Sequence, residues 1–328
     1  MDVTAVIPAY NEEQRLPKCL SSLYRQRLSY GDLRVIVVDD GSTDRTVHIA
    51  RSYGAQVLYN GTHDIEIGKS IGLAHVETEL VLFLDADNWQ PDRTWLETAV
   101  QALITHPQAA GAQSCRFAYV PSDPPANRYC SLIGAADPVA YYLGKRDRLM
   151  HSEARWSLPG LVVEANNQYC VIQFDEHSLP TVGSQGFLTR TSLIRSTNWQ
   201  PRLYHLESNL ALVRAGYCQY IMLWSPVGHD HCRSSLELLR KLDRNARLFL
   251  QHSHERTYRY DLSLLRAASI MLIMTTGIRP AYDALRGFLH KPDVAWFLHV
   301  PYCLAVPWMY AIRTILHISD PRKLKVTI

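Results

Sequence analysis

The sequence predicts an α/β protein built on a largely parallel sheet, and three observations carry that expectation. Short β-branched runs alternate with amphipathic stretches through the first 85 residues. The runs end in Pro, Asp and Gly clusters, the usual punctuation of strand-to-helix turns. The intervals leave room for a helix between successive strands, which parallel pairing requires.

Each element follows in order. Residues 3–8 (VTAVIP) read as a buried strand closed by a proline. Residues 12–27 place Leu16, Leu20, Leu23 and Tyr24 at helical spacing, with Pro17 tolerated in the first turn. Residues 33–38 give a second strand that ends in Asp39-Asp40-Gly41-Ser42-Thr43-Asp44, and a helix follows to about Tyr53. Residues 56–59 form a third strand, 68–77 a helix, and 80–84 a fourth strand that stops at Asp85-Ala86-Asp87. Residues 121–160 are rich in Pro, Asp, Arg and Tyr and read as loops with short helices. Further strands are expected at 183–188 and 220–224, with a helix near 206–215 between them. From Ser234 the chain reads as helical and basic, so two regions are expected: a catalytic domain over 1–232 and a helical region over 233–328.

Composition narrows the function class. Of 328 residues 47% are hydrophobic and 20% charged, too apolar for disorder and sufficient for a large core. Charge is divided unevenly. Residues 233–328 carry 15 Lys and Arg against 7 Asp and Glu, whereas 1–232 carry 19 against 24. A nucleic-acid binder would place its basic groups on the folded body, so that class is set aside. A basic, apolar tail fits contact with an anionic membrane surface. Its apolar stretches, 262–278 and 294–318, are interrupted by Arg266, His299, Pro301, Pro307 and Arg313. In-plane amphipathic helices fit that pattern better than clean spans. The odd count of seven cysteines, with no C-x-x-C, argues against a disulfide framework or a zinc site and for a reducing compartment. The first residues enter a strand pattern directly, so no secretory leader is expected, and the protein should be peripheral at the inner face of the cytoplasmic membrane. Self-association as a homodimer is compatible with this.

The chemistry concentrates at strand ends, where open α/β sheets bind ligands. Asp85 and Asp87, one residue apart after the fourth strand, can share Mg²⁺ or Mn²⁺ with substrate phosphates. An isolated D-x-D would more often be a solvated turn; the strand context and the companion motifs reverse that reading. Asp39 or Asp40 can accept from a base N–H or a ribose hydroxyl, while Ser42, Thr43 and Asp44 suit helix capping. His229 or His231, in a polar loop after the last strand, could reach the metal; plain surface histidines are the competing reading.

Ile7-Pro8-Ala9-Tyr10-Asn11-Glu12, then Val38-Asp39-Asp40-Gly41-Ser42-Thr43-Asp44-Arg45-Thr46, then Phe83-Leu84-Asp85-Ala86-Asp87 together resemble the ordered signature of family 2 glycosyltransferases. The resemblance spans roughly residues 1–232. It implies the GT-A fold, a Rossmann-like, mostly parallel central sheet with helices on both faces, and inverting transfer from a UDP- or GDP-linked sugar with Mg²⁺ or Mn²⁺. It implies that Pro8, Ala9, Tyr10 and Glu12 line the nucleotide pocket, with Asp39, Asp40, Asp85 and Ala86 at the nucleoside side and Asp87 on the metal. Lys69 falls where the family often carries a basic contact to the diphosphate. Gly183, Gln185 and Gly186 are similar to the family's glycine-bearing acceptor strand. His205-Leu206-Glu207-Ser208 is similar to its Glu-Asp segment, with Ser208 replacing the second acid and Glu207 left as the general base.

Three alternatives stand beside this reading. A polyprenyl-phosphate sugar transferase would need no strong base, which the serine at 208 favours. A sugar nucleotidyltransferase is disfavoured because the loop after the first strand is acidic and lacks glycine. A catalytically degenerate nucleotide-sugar-binding scaffold is disfavoured by the intact Asp85 and Asp87. No G-x-G-x-x-G follows the first strand, which excludes a dinucleotide oxidoreductase.

Overall fold

The computed structural model describes every residue except 30, 259, 261, 262 and 320–328. Its contacts divide the chain into two compact units. Unit 1 comprises Met1–Ala118, Asp147–Leu149 and Arg155–Asp230; unit 2 comprises Tyr119–Arg146, Met150–Ala154 and His231–Ile328.

In chain order, β1 (Val3–Ala9), α1 (Leu16–Tyr24), β2 (Leu33–Asp39), α2 (Thr46–Ser52), β3 (Gln56–Tyr59), α3 (Ile65–Ala74) and β4 (Leu80–Phe83) realise the expected alternation. Next come β5 (Asn88–Trp89), α4 (Trp95–Thr105) and β6 (Ala109–Ser114), then α5 (Pro125–Ile133) and α6 (Pro138–Leu143) of unit 2. Unit 1 resumes with β7 (Leu161–Ala165), β8 (Tyr169–Gln173), β9 (Phe187–Arg190), α7 (Thr191–Arg195), α8 (His205–Arg214), β10 (Gln219–Leu223) and β11 (Gly228–His229).

Nine of these strands form one sheet in the order β3-β2-β1-β4-β9-β6-β10-β8-β7. The first four are parallel, with Ala5 opposite both Val35 and Leu82. The second half is mixed. β9 runs antiparallel between β4 and β6, and the β7–β8 hairpin adds antiparallel strands beyond β10. A hairpin cannot do otherwise, because a parallel return needs a crossover segment. Val3, Ala5, Ile7, Val35 and Val37 on one sheet face pack with Leu16, Leu20, Trp95 and Leu103 of the covering helices. Pro8 lies past the β1–β4 ladder, which ends at Val6, so its missing N–H breaks no bond on that side.

Unit 2 is helical: α5, α6, α9 (Ser235–Gln251), α10 (Leu264–Thr275), α11 (Ile278–His290) and α12 (His299–Ile318). Tyr129, Cys130, Leu238, Leu242, Ala284, Trp296, Tyr302 and Val306 make its core. Polar groups are buried there too. The Tyr129 hydroxyl is 2.9 Å from His299 Nδ1, and the Tyr142 hydroxyl is 3.0 Å from Nε2. Tyr142 donates to Asp283 at 3.1 Å, so it accepts from Nε2–H, and Nδ1 is left to accept from Tyr129. Burial holds the His299 ring neutral, its pKa lowered to about 4 despite the opposing field of Asp283. All seven cysteines are free.

Candidate active site

Within unit 1 the loops after β1, β2 and β4 meet. The first two loops are tied together by side-chain-to-backbone bonds. Asn11, at φ +53°, donates its amide to Ser42 Oγ at 2.9 Å and accepts from the Thr43 amide at 2.9 Å. The amides of Glu12 and Glu13 donate to Thr46 Oγ1 and Asp44 Oδ2 at 2.8 and 3.1 Å. Asparagine tolerates this left-handed backbone better than other non-glycine residues. None of the three residues expected to cap α2 stands at its N-cap, which is Arg45; Asp44, one residue before, accepts from the Thr46 amide at 2.9 Å. Ser42 and Thr43 bond Asn11 instead, because the β1 loop comes within reach.

Asp39 is buried at the end of β2 and accepts from the Gly41 and Ser42 amides, each at 3.1 Å. Asp40 accepts from the His63 amide at 2.8 Å. Both carboxylates therefore hold the turn, and a carboxylate's further lone-pair sites remain for a ligand. Tyr10 is half exposed, with its ring edge-on to His63; Ala9 and Ala86 are buried.

The turn after β4 carries Asp85 and Asp87. Asn88 fixes it, donating its amide to the Asp85 carbonyl at 2.9 Å and accepting from the Asp85 amide at 3.2 Å. β5 then pairs antiparallel with β11, setting Asn88 opposite His229. That pairing leaves no room for a side chain at Gly228, where a Cβ would fall 2.0 Å from the Trp89 ring. His229 Nε2 stands 3.6 Å from Asp87 Oδ2, with side chains only 4% and 14% exposed. Lys18 fastens the segment from α1, bonding Asp230 at 2.9 Å and lying 4.1 Å from the Trp89 ring centre.

Negative charge is concentrated here. The Cys19 thiol is pushed well up, first by burial and then by the fields of Asp87, Asp85 and Glu12. Lys69 answers that charge. It is 94% buried on α3, 3.4 Å from Glu66. Burial opposes its charge, yet Glu66 and Asp85 hold its pKa above the ordinary value. The amide group of Gln90 and Nδ2 of Asn88 are buried with no protein partner among the described residues. Buried polar groups are nearly always bonded, so these fit a solvated or ligand-filled cleft. A divalent cation fits as well: ligands bound at about 2.1 Å in neighbouring positions lie about 3 Å apart, close to the Asp87–His229 separation. With the acidic field around Cys19, the donor set suits Mg²⁺ or Mn²⁺.

The segment 183–186 lies against this turn. The Gly186 amide donates to the Phe83 carbonyl at 2.9 Å, and a Cβ on Gly186 would come within 3.1 Å of Gln90 Nε2. Gly183, Gln185 and Gly186 all have positive φ, at +108°, +57° and +90°. Arg148, fully buried, donates to the Ser184 and Gln185 carbonyls at 3.3 and 3.2 Å. Glu207 sits half-buried on α8, within the field of exposed Arg214. Ser208 is buried and accepts from Thr197 Oγ1 at 3.2 Å. Sequence reasoning missed Asn88, Gln90 and Arg148. Arg148 lies in the run Lys145-Arg146-Asp147-Arg148, a pattern that reads as solvent-facing although all four are buried.

Residues 4–155 match the model of glycosyl transferase family 2. A 4,4'-diaponeurosporenoate glycosyltransferase of Staphylococcus haemolyticus is 41% identical over 108 residues, 30% of this chain and 28% of that protein. A dolichyl-phosphate β-glucosyltransferase of Trichomonas vaginalis is 39% identical over 97 residues, 26% of this chain and 30% of that protein. The matches thus span less than a third of these relatives. The fold is also that of a mannosyltransferase of Pyrobaculum calidifontis, solved with GDP-Man and Mn²⁺. That likeness has a TM-score of 0.54 at 16% identity, covering 97% of this chain and 87% of that one.

Proposed function

From a chain that carries a glycosyltransferase family 2 domain over residues 4–155, we propose an inverting enzyme that moves a sugar from a UDP- or GDP-linked donor to a lipid-linked or cell-envelope acceptor. The observation that carries this reading is the convergence of Glu12, Asp85 and Asp87 on Cys19, with His229 3.6 Å from Asp87 and buried Lys69 in the field of Asp85.

The residues divide the work by position. Pro8, Ala9, Tyr10, Asp39 and Asp40 bound the nucleoside side, and the Asn11–Ser42–Thr43 bonds hold those loops in one arrangement before the donor arrives. Lys69 supplies a fixed positive charge toward the diphosphate. Asp87, His229 and Asp85 would hold Mg²⁺ or Mn²⁺, and such an ion neutralises charge developing on the departing diphosphate. Gly183, Gln185 and Gly186 offer backbone to the acceptor at close range.

Unit 2 supports a peripheral seat on the inner face of the cytoplasmic membrane. Leu264 and Leu265 of α10 are 91% and 82% exposed, and Ile278 and Leu289 of α11 are 77% and 72% exposed. Val294–Ile318 is long and apolar enough to cross a membrane by length and composition. Its His299, Tyr302, Cys303, Val306 and Pro307 are nevertheless buried in unit 2, which favours lying on the bilayer over crossing it.

Transfer to a polyprenyl phosphate is the second reading. It is favoured by Ser208, whose hydroxyl is buried and bonded and offers no carboxylate to activate an alcohol, and by the dolichyl-phosphate named for one relative. Thermal stabilisation by UDP and GDP with Mn²⁺ tests the donor class, and no shift with either would defeat the transferase reading. Labelled-sugar transfer to polyprenyl phosphate or to a saccharide then separates the two acceptors. Donor hydrolysis that survives Asp87→Ala would count against the proposed metal site; absence of any turnover with retained binding would leave a scaffold.

A further inference from the structure

The first turn of α8 presents a different side chain to the glycine segment from the one its acidic residue suggests. A Cβ on Gly183 would lie 2.2 Å from Asn209 Nδ2 and 3.3 Å from His205 Cβ. His205 and Asn209 are four residues apart and so share one helix side. Asn209 holds that side in place, donating to the Val182 and His205 carbonyls at 3.3 and 2.7 Å. Glu207, two residues on, is turned about 200° around the axis. It feels Arg214, seven residues along and therefore on its own side, and Arg214 is tied to Glu176 in solvent.

The entry to α8 is also anchored at the charged end of the cleft. The Leu203 amide donates to the Glu66 carbonyl at 3.0 Å, and Arg202 Nε bonds Asp64 at 2.7 Å. Glu66 is the partner of Lys69, which feels Asp85. His205 therefore opens α8 between the glycine segment beside Asp85 and the α3 turn that carries Lys69. Its ring is only partly exposed.

We propose that His205, rather than Glu207, takes the acceptor's proton during transfer, an assignment that rests on the transferase reading above. As the acceptor hydroxyl oxygen bonds to the anomeric carbon, its proton passes to an imidazole nitrogen. The bond from that carbon to the phosphate oxygen breaks, and its electron pair leaves with the nucleoside diphosphate. The imidazolium then returns its proton to water. An imidazole can accept a proton from a hydroxyl and return it to water. Among the described residues, Arg202 paired with Asp64, and Glu66 paired with Lys69, are the charged groups tied to this helix entry.

The test uses UDP-glucose and GDP-mannose with Mn²⁺, following donor hydrolysis with water as acceptor. His205→Gln should lower turnover about 10²-fold or more and flatten the acid limb of the pH–rate profile. Donor KM and UDP-induced stabilisation should stay within about twofold, and added imidazole should restore part of the rate to His205→Ala. Glu207→Gln should cost far less than His205→Gln and keep the pH profile. The assignment is overturned if Glu207→Gln carries the loss, or if the His205 variants keep the wild-type rate and profile. It is also overturned if they lose UDP stabilisation along with turnover, since that is a structural role. A wild-type protein that neither binds nor hydrolyses either donor sinks the transferase reading first, and the base with it.

Discussion

The two units treat charge and oil in opposite ways. Unit 1 packs Val, Leu and Ile inside and gathers its carboxylates at one loop cluster, with Asp85, Asp87 and Glu12 all felt by one buried thiol. Unit 2 buries Asp283, Asp293 and His299 while Leu264, Leu265, Ile278 and Leu289 face outward. Its inner polar groups are matched: Arg128 grips Asp293 at 2.8 and 3.1 Å, Tyr119 donates to it at 2.7 Å, and its pKa is lowered to about 2 although burial alone would raise it. Unit 1 thus concentrates charge at one loop cluster, whereas unit 2 keeps charge inside and turns aliphatic side chains outward.

The contrast can be broken most sharply at the carboxylates. Asp87→Ala should cost about 10²- to 10³-fold in donor turnover with an unchanged melting temperature; equal losses in both would mean that Asp87 supports the fold instead. His229→Ala should weaken Mn²⁺ binding about 10- to 100-fold, read by metal titration of nucleotide binding. In unit 2, Leu265→Glu combined with Leu272→Glu should weaken flotation with anionic vesicles about tenfold or more and leave donor hydrolysis unaltered. Loss of a dimer in solution from the same pair would instead make that face a self-contact.

An effect of another kind is expected on acid stability. The folded His299 ring has its pKa lowered to about 4, while the unfolded ring binds a proton near its ordinary value. Unfolding therefore takes up a proton between those pH values, and stability should fall as pH drops through that window by at most about 1.4 kcal/mol per unit. His299→Phe should abolish that slope in unfolding titrations from pH 7 to 4; an unchanged slope would place the titration elsewhere.

The parallel half of the sheet was legible because its strands are β-branched and its turns carry Asp, Gly and Pro. Of the mixed half only β10, α8 and the first residues of β9 were legible; the segment 183–186, expected as strand, is a positive-φ loop. β6 reads Ala-Ala-Gly-Ala-Gln-Ser, with no strand-forming side chain, and becomes a strand because β9 and β10 flank it. The Asp85 and Asp87 turn was visible as a motif, yet its companions Asn88 and Gln90 act through burial, which a sequence does not display. On α8 the acidic residue drew attention to Glu207, whereas helix geometry brings His205 to the glycine segment. In unit 2, Asp283 is buried and bonded by Tyr142, a partner so far along the chain that no local pattern marks it.

The position of β9 bears on any attempt to dissect the protein. The family-matched stretch ends at residue 155, yet the strand between β4 and β6 is supplied by Phe187–Arg190. A fragment cut at that limit would leave a gap in mid-sheet, with two unzipped edges ready to recruit other chains. Its expected fate is inclusion bodies, so expression trials should retain at least the chain through Asp230.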